Sequence, residues 1–341
     1  MTKWLKRIFG VLAVLILIAI VGIIFLTTTV NPNRFKPLLT QQVQSHFGRT
    51  FNINGNLSWS FFPYLGITVN NIVIGNPINF TEKTFVEAGK LTLSIKLIPL
   101  LYGRIESKGM ELDNVKLNLI KKVSGKTNWQ DLQQRFSSAP QTQAASHTAT
   151  VSNKAVLMFA FSEVDVKHAN IYYIDEQSKQ SISVEDSTLH AQDVMLHRAF
   201  PIEVSVNSAK VNNATLNHLQ GHFDCILTQN DINVTGLVKV DTLQAQQWKM
   251  ANLKIELQLL NDVLNINSLT ADLYKGNLQG KAKIDFDAAN PAITLNAKLI
   301  RVELNSLLQD LSGGDQKVNI AGEGNIELQL TTIGSDVEIH Y

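Results

Sequence analysis

The chain has 341 residues, with 30 basic and 29 acidic side chains and a formal net charge of +1, so it lacks the positive surplus expected of a nucleic-acid-binding protein. Hydrophobic residues make up 45% and charged ones 17%, which is enough apolar material for one large or two medium folded domains and too much for a disordered chain. The single cysteine, Cys225, excludes an intramolecular disulfide, and an oxidising compartment would tolerate it only if it is buried or unreactive.

Residues 1–7 are short and basic, with Lys3, Lys6 and Arg7. Ile8 to Leu26 follows without a charge, and with Thr27 to Val30 it is long enough to span a hydrocarbon core as a helix. A cleaved signal peptide is the rival reading, but its apolar core is shorter and ends in a small-x-small site, whereas Thr27, Thr28, Thr29 and Val30 stand here. The basic residues before the run favour a cytoplasmic amino terminus and place the body on the far side. No later segment reaches the length of a second span, since Ile95 to Leu101 is broken by Lys96 and Pro99.

Asn31 is a good N-cap and Pro32 fits a first helical position, and Phe35, Leu38, Leu39, Val43 and Phe47 recur at helical spacing up to Gly48. From Phe51 the period changes to two. Leu91, Leu93, Ile95 and Leu97 alternate with polar residues, and Leu112, Val115, Leu117 and Leu119 continue after a break at Gly109. Lys121 to Lys126 reads as a turn, followed by a short helix on Trp129, Leu132 and Phe136 with Asn128 as its cap. Residues 137–153 are uncharged and aperiodic, the composition of a flexible linker that divides a 31–136 region from a 154–341 region.

Alternation resumes with Phe159 and Phe161, Val164 and Val166, Ile171 and Tyr173, Ile202 to Val206, and Leu253, Ile255, Leu257 and Leu259. It continues through Ile293 to Leu299; Leu304, Leu307, Leu308 and Leu311 form one helical stripe, and strands follow around Val318 to Ala321 and Ile326 to Leu330. The fold class is mainly β, with roughly 16 to 20 strands that must be mostly antiparallel for want of helical crossovers. One-faced alternation fits a closed sandwich as well as an open sheet.

Signatures of catalysis are missing: there is no G-x-S-x-G, phosphate loop or H-E-x-x-H. An enzyme is therefore not expected, and no cofactor is implied. His218, His222 and Cys225 have the side chains for zinc, but that spacing gathers ligands only on a helix, and Gly221 leads into a strand-like run. Asp310 and Asp315 read as turn residues beside Gly313 and Gly314. Lys121, Lys122 and Lys126 fit either anionic headgroups or a solvated turn, and Trp59, Phe61, Phe62 and Tyr64 fit either a membrane interface or a core.

Several stretches carry a family likeness: Asn-Pro-Asn-Arg-Phe at 31–35, Ile-Asn-Gly-Asn-Leu-Ser-Trp at 53–59, Gly75 with Asn76, Gly-Lys-Thr-Asn-Trp-Gln-Asp-Leu at 125–132, Ala-Asn-Ile-Tyr-Tyr-Ile-Asp-Glu at 169–176 and Leu-Thr-Ala-Asp-Leu-Tyr-Lys-Gly at 269–276. Spread over nearly the whole chain, these segments resemble the AsmA family of Gram-negative envelope proteins. The resemblance implies a single-pass inner-membrane anchor with a periplasmic body, involved in outer-membrane assembly and lipopolysaccharide homeostasis. It also implies kinship with chorein-type bridge-like lipid-transfer proteins, in which an elongated, strongly curved sheet holds acyl chains of phospholipid or lipid A on its apolar face. On that reading Leu91, Leu93, Ile95, Leu97, Leu253, Ile255, Leu257 and Leu259 line the groove. The alternative is a scaffold with a closed core that positions outer-membrane assembly proteins without binding lipid. Family members typically continue past the point where this chain stops, and Tyr341 falls inside a strand-like Val337, Ile339 pattern, so the last region is expected to belong either to a short member or to a truncated one.

Overall fold

The computed structural model describes residues 31–60, 64–96, 107–137, 161–228, 231–286, 292–312, 320–333 and 336–340. The apolar run Ile8 to Leu26, most of the linker, Leu97 and Asp315 lie outside them. Among the described residues no helix is long and apolar enough to cross a membrane.

A 3-10 turn, Pro32–Phe35, is capped by Asn31, whose side chain accepts from the backbone N–H of Asn33 at 3.0 Å, and it runs into helix α1, Lys36–Phe47. Gly48, at φ 65°, ends α1 in the left-handed conformation that glycine reaches without strain. Strands β1 (Phe51–Ile53), β2 (Leu57–Ser60), β3 (Leu65–Gly75), β4 (Thr84–Ile95) and β5 (Ser107–Lys121) follow, and then helix α2, Gln130–Ser137. The remainder is β6 (Phe161–Asp175), β7 (Gln180–Val194), β8 (Ala199–Val211), β9 (Ala214–Leu227), β10 (Ile232–Ala245), β11 (Trp248–Leu260), β12 (Val263–Leu273), β13 (Gly276–Asp285) and β14 (Ala292–Glu303), helix α3 (Leu304–Leu311), and β15 (Glu323–Ile333) and β16 (Asp336–His340). Ile320 and Ala321, expected to be extended, precede β15 without joining it.

The sixteen strands among the described residues share one sheet in the order β1-β3-β4 and onward to β16, with β2 attached to β3. The pairing is antiparallel except between β5 and β6, which run parallel. That exception needs a long connection, and the segment carrying α2 supplies it. The regions before and after the linker therefore form one sheet. At the usual spacing of about 4.8 Å between paired strands, the path measures about 65 Å from β1 to β16. The sheet is open and curved, and among the described residues no second sheet packs on it.

The curvature has a local cause. Asn71, Asn114, His168, Asp186, His218, Asn252 and Arg301 all sit inside strands with φ near +50°. Register aligns them into a crease: Asn71 and Asn114 both stand opposite Gly89, and His218 and Asn252 both stand opposite Asp241. Regular alternation sends residues i and i+3 to opposite faces, whereas a left-handed residue between them returns both to one face and bends the strand. Val69 packs with Ile72 and Leu112 with Val115 in one cluster, and Leu216 with Leu219 and Met250 with Leu253 in another. Apolar side chains from both sides of the crease thus converge, so the sheet folds toward its apolar face. Asparagine tolerates this conformation and a β-branched residue does not. Asn71→Val is expected to lower stability by about 1–2 kcal/mol, while Asn71→Gly should be close to neutral, as read by urea denaturation.

Candidate functional site

The register turns separate strand patterns into continuous rows. Leu91 pairs with Leu112, Leu112 with Val166 and Val166 with Leu189. The row passes through Val204, Gly221 and Val238 to Ile255. A second row links Leu93 to Met110, Val164, Ala191 and Ile202, and then through Phe223 and Gly236 to Leu257. No polar side chain interrupts either row. Apart from Leu97, which lies outside the described residues, the two groups of leucine and isoleucine residues expected to line a groove therefore share one face, although more than 150 residues separate them in the chain.

Depth varies systematically across this face. Residues beside the crease are buried, Val240 at 2% exposure and Leu253 at 6%, whereas Leu93 is 42% exposed and Leu91, Ile95, Ile255, Leu257 and Leu259 are half-buried. Leu253 belongs to the floor of the bend, packed on Val240 and Ala271. The others form a wall open to one side. Phe223 lies across the middle of that wall, over Gly221 and Gly236, where a Cβ would stand 2.4 Å from its ring.

The two rims differ. Leu39 and Val43 of α1 pack on the Phe51, Ile72 and Ala88 cluster, and Leu304 and Leu307 of α3 pack on Leu273, Leu299 and Val302. Tyr274 donates to Asp310 at 2.6 Å, and Gln247 donates to the Asp310 carbonyl at 3.2 Å, tying α3 to the sheet. Burial and this carboxylate push the Tyr274 phenol up, so it stays a donor. Asp310 is thus a tertiary contact as well as a helix-end residue. The opposite rim carries no helix among the described residues, and its lip exposes Met195, Leu196, Ile232, Leu260 and Phe286.

At the start of the sheet, Arg49 and Asn128 form a buried polar hub. Arg49 binds Asp131 with Nε at 3.0 Å and Nη2 at 2.5 Å, donates to the Asn128 carbonyl at 2.5 Å, and lies 4.4 Å over the Phe85 ring. Burial raises the Asp131 carboxyl, but the hydrogen bond and charge of Arg49 together hold it below its ordinary value. The Asn128 side chain accepts from Ile120 N–H at 2.9 Å and donates to the Asn118 carbonyl and to Asn76 Oδ1, each at 2.8 Å. It therefore stitches the turn after β3 to the end of β5 rather than capping α2.

The polar face carries ion pairs, among them Lys90 with Glu111 at 3.2 Å and Lys108 with Glu163 at 2.6 Å. Glu163, Asp165 and His190 come close enough to suggest a cation site. Lys108 already neutralises Glu163, and His190 engages Asp165 through Nδ1 at 2.6 Å and Gln192 through Nε2 at 2.8 Å. The charges and the imidazole are accounted for by protein partners. His218, His222 and Cys225 do not converge: His222 pairs with Glu203 on the polar face and Cys225 with Phe200 on the apolar one, as strand geometry requires of an i, i+3 pair. Cys225 is buried, and burial pushes its thiol up. Asp175 accepts from Lys121 at 2.9 Å and from the N–H groups of Ser178 and Gln177, which hold its carboxyl down at about 2. A depressed carboxyl stabilises above its unfolded pKa, near 4, and ceases to do so as pH falls through about 2. Asp175→Asn should therefore lower the denaturation midpoint at pH 7 and converge with the wild type near pH 2.

Comparison with known proteins gives one family and two relatives. The profile of the AsmA family matches residues 1–199 and 202–339. Protein AsmA of Escherichia coli K12 is 20% identical over 342 residues, covering 98% of this chain and 53% of that protein. The AsmA family protein YhjG of the same organism is 27% identical over 125 residues, covering 33% of this chain and 18% of its own length. The chain thus spans about half the length of the first relative and much less of the second.

Proposed function

The chain belongs to the AsmA family, and from that premise we propose that it is a non-enzymatic inner-membrane protein with a periplasmic body that supports outer-membrane assembly by holding phospholipid or lipid A acyl chains along its apolar trough. The observation that carries this reading is the continuous apolar face, half-exposed on its outer wall and without a second layer over it among the described residues. An apolar surface of such extent in water favours association, and the trough shape suits extended, narrow, flexible apolar ligands better than a globular partner. Acyl chains have that form. The polar face and its ion pairs keep the outside of the trough hydrated. The uncharged run Ile8 to Leu26 would tether the β1 end of the trough at the bilayer from which lipid enters.

The exposed apolar lip of the rim opposite α1 and α3 favours a second role, in which an outer-membrane assembly protein docks there. Lipid mass spectrometry of the full chain, purified in mild detergent, tests the primary reading. Co-purified phospholipid or lipid A is expected in stoichiometric amounts, and a consistently lipid-free protein would contradict it.

A further inference from the structure

Among the described residues, three turns of the helix-bearing rim are polar at their tips, whereas two that lie side by side at the β1 end are not. Between β6 and β7 the turn is Glu176 to Lys179, between β8 and β9 it is Asn212 and Asn213, and between β10 and β11 it is Gln246 and Gln247. At the β1 end, the turn after β3 instead presents Ile78, which is fully exposed, and the turn after β5 presents Val123, 65% exposed. These tips are rigidly built. Asn76 donates to the carbonyls of Glu82 at 2.8 Å and Thr84 at 3.1 Å, Phe80 is buried beneath the first turn, and Gly125 at φ 79° closes the second by donating to Lys122 at 2.8 Å. Lys122 joins the two turns, donating to the Asn79 carbonyl and lying 4.7 Å over the Phe80 ring. Lys83 and Lys126 flank the pair, with Glu82 the acidic residue among them.

We propose that these two turns form a lipid-contacting tip, in which Ile78 and Val123 enter the interfacial region of an anionic bilayer while Lys83, Lys122 and Lys126 meet its phosphates. This rests on the anchor reading given above, because the bilayer invoked is the one that holds Ile8 to Leu26. Position supports the assignment: β3 and β5 fall within the first four strands of the sheet path, about 15 Å from the edge beside which the chain emerges toward that run. Charge supports it too, since exposed apolar side chains ringed by lysine suit a negatively charged interface. A single exposed isoleucine means little. Two apolar side chains, Ile78 and Val123, on adjacent, cross-braced turns beside the polar turns of β6–β7, β8–β9 and β10–β11 form a surface.

The test uses the full chain with Cys225→Ser, carrying an environment-sensitive fluorophore at Ile78→Cys, Val123→Cys or, as control, Asn213→Cys, in nanodiscs of phosphatidylethanolamine and phosphatidylglycerol. Spin-labelled lipid should quench the probes at 78 and 123 several-fold more than the probe at 213, and Lys83→Gln with Lys126→Gln should reduce that quenching in anionic discs. Absence of quenching at 78 and 123 in protein retained by the discs would overturn the tip and leave the anchor standing. Equal quenching at 213 would also overturn it. Protein that fails to stay in the discs would overturn the anchor reading and the tip with it.

Discussion

Asn128→Ala is expected to cost about 3–5 kcal/mol, because the side chain is fully buried and its removal leaves Ile120 N–H, the Asn118 carbonyl and Asn76 Oδ1 without their partner, at about 1–3 kcal/mol for each stranded group. Urea denaturation of the full chain in detergent reads the loss as a lower midpoint. Asn128→Asp should be nearly as damaging, since a carboxylate accepts from Ile120 but cannot donate to the Asn118 carbonyl. A midpoint within a few tenths of a kcal/mol of wild type would show that the hub is dispensable. The effect should be felt at both ends of the hub, because Arg49 links it to α1 and Asp131 to α2.

Leu257→Asp and Val240→Asp should behave differently although the residues share a face. Leu257 is half-buried on the open wall, so a carboxylate there keeps access to water and the fold should survive with a loss of about 1–2 kcal/mol. Its co-purified lipid should fall several-fold, because a charge would interrupt the second apolar row where Gly236 and Ile266 flank it. Val240 is 2% exposed at the crease, and Val240→Asp should prevent folding, since burying an unpaired carboxylate costs more than the stability of a typical domain can spare. If both variants unfold, the face is a closed core and the scaffold reading gains. If both fold with full lipid content, the trough does not hold lipid.

Much of this architecture is legible in the sequence because it rests on period-two alternation, which strands such as Leu253 to Leu259 display plainly. The helix start at Asn31 and Pro32, the Gly48 stop and the Leu304 to Leu311 stripe follow equally from local chemistry. The crease is written less openly. Apolar pairs three apart, such as Val69 with Ile72 and Leu216 with Leu219, break the alternation, and each encloses Asn71 or His218, residues that tolerate the left-handed region. That repeated slip distinguishes a folded trough from a flat sheet. Asn128 is not legible from its neighbours, because the turn that pairs Lys121 with Thr127 folds it back on Asn118, and Asn76 reaches it only through the pairing of β3 with β4 and of β4 with β5. The side-by-side rows were equally hidden, since register between Leu93 and Leu257 depends on every strand between them.

Site-specific photocrosslinking in living cells tests the trough most directly. A benzophenone side chain at Leu93 or Leu257 faces the apolar wall, and one at Thr92 or Glu256, the adjacent residue on each strand, faces the polar side. Lipid adducts are expected at positions 93 and 257, with at most traces at 92 and 256. Adducts absent from all four positions, or equal on both faces, would contradict a trough that carries acyl chains.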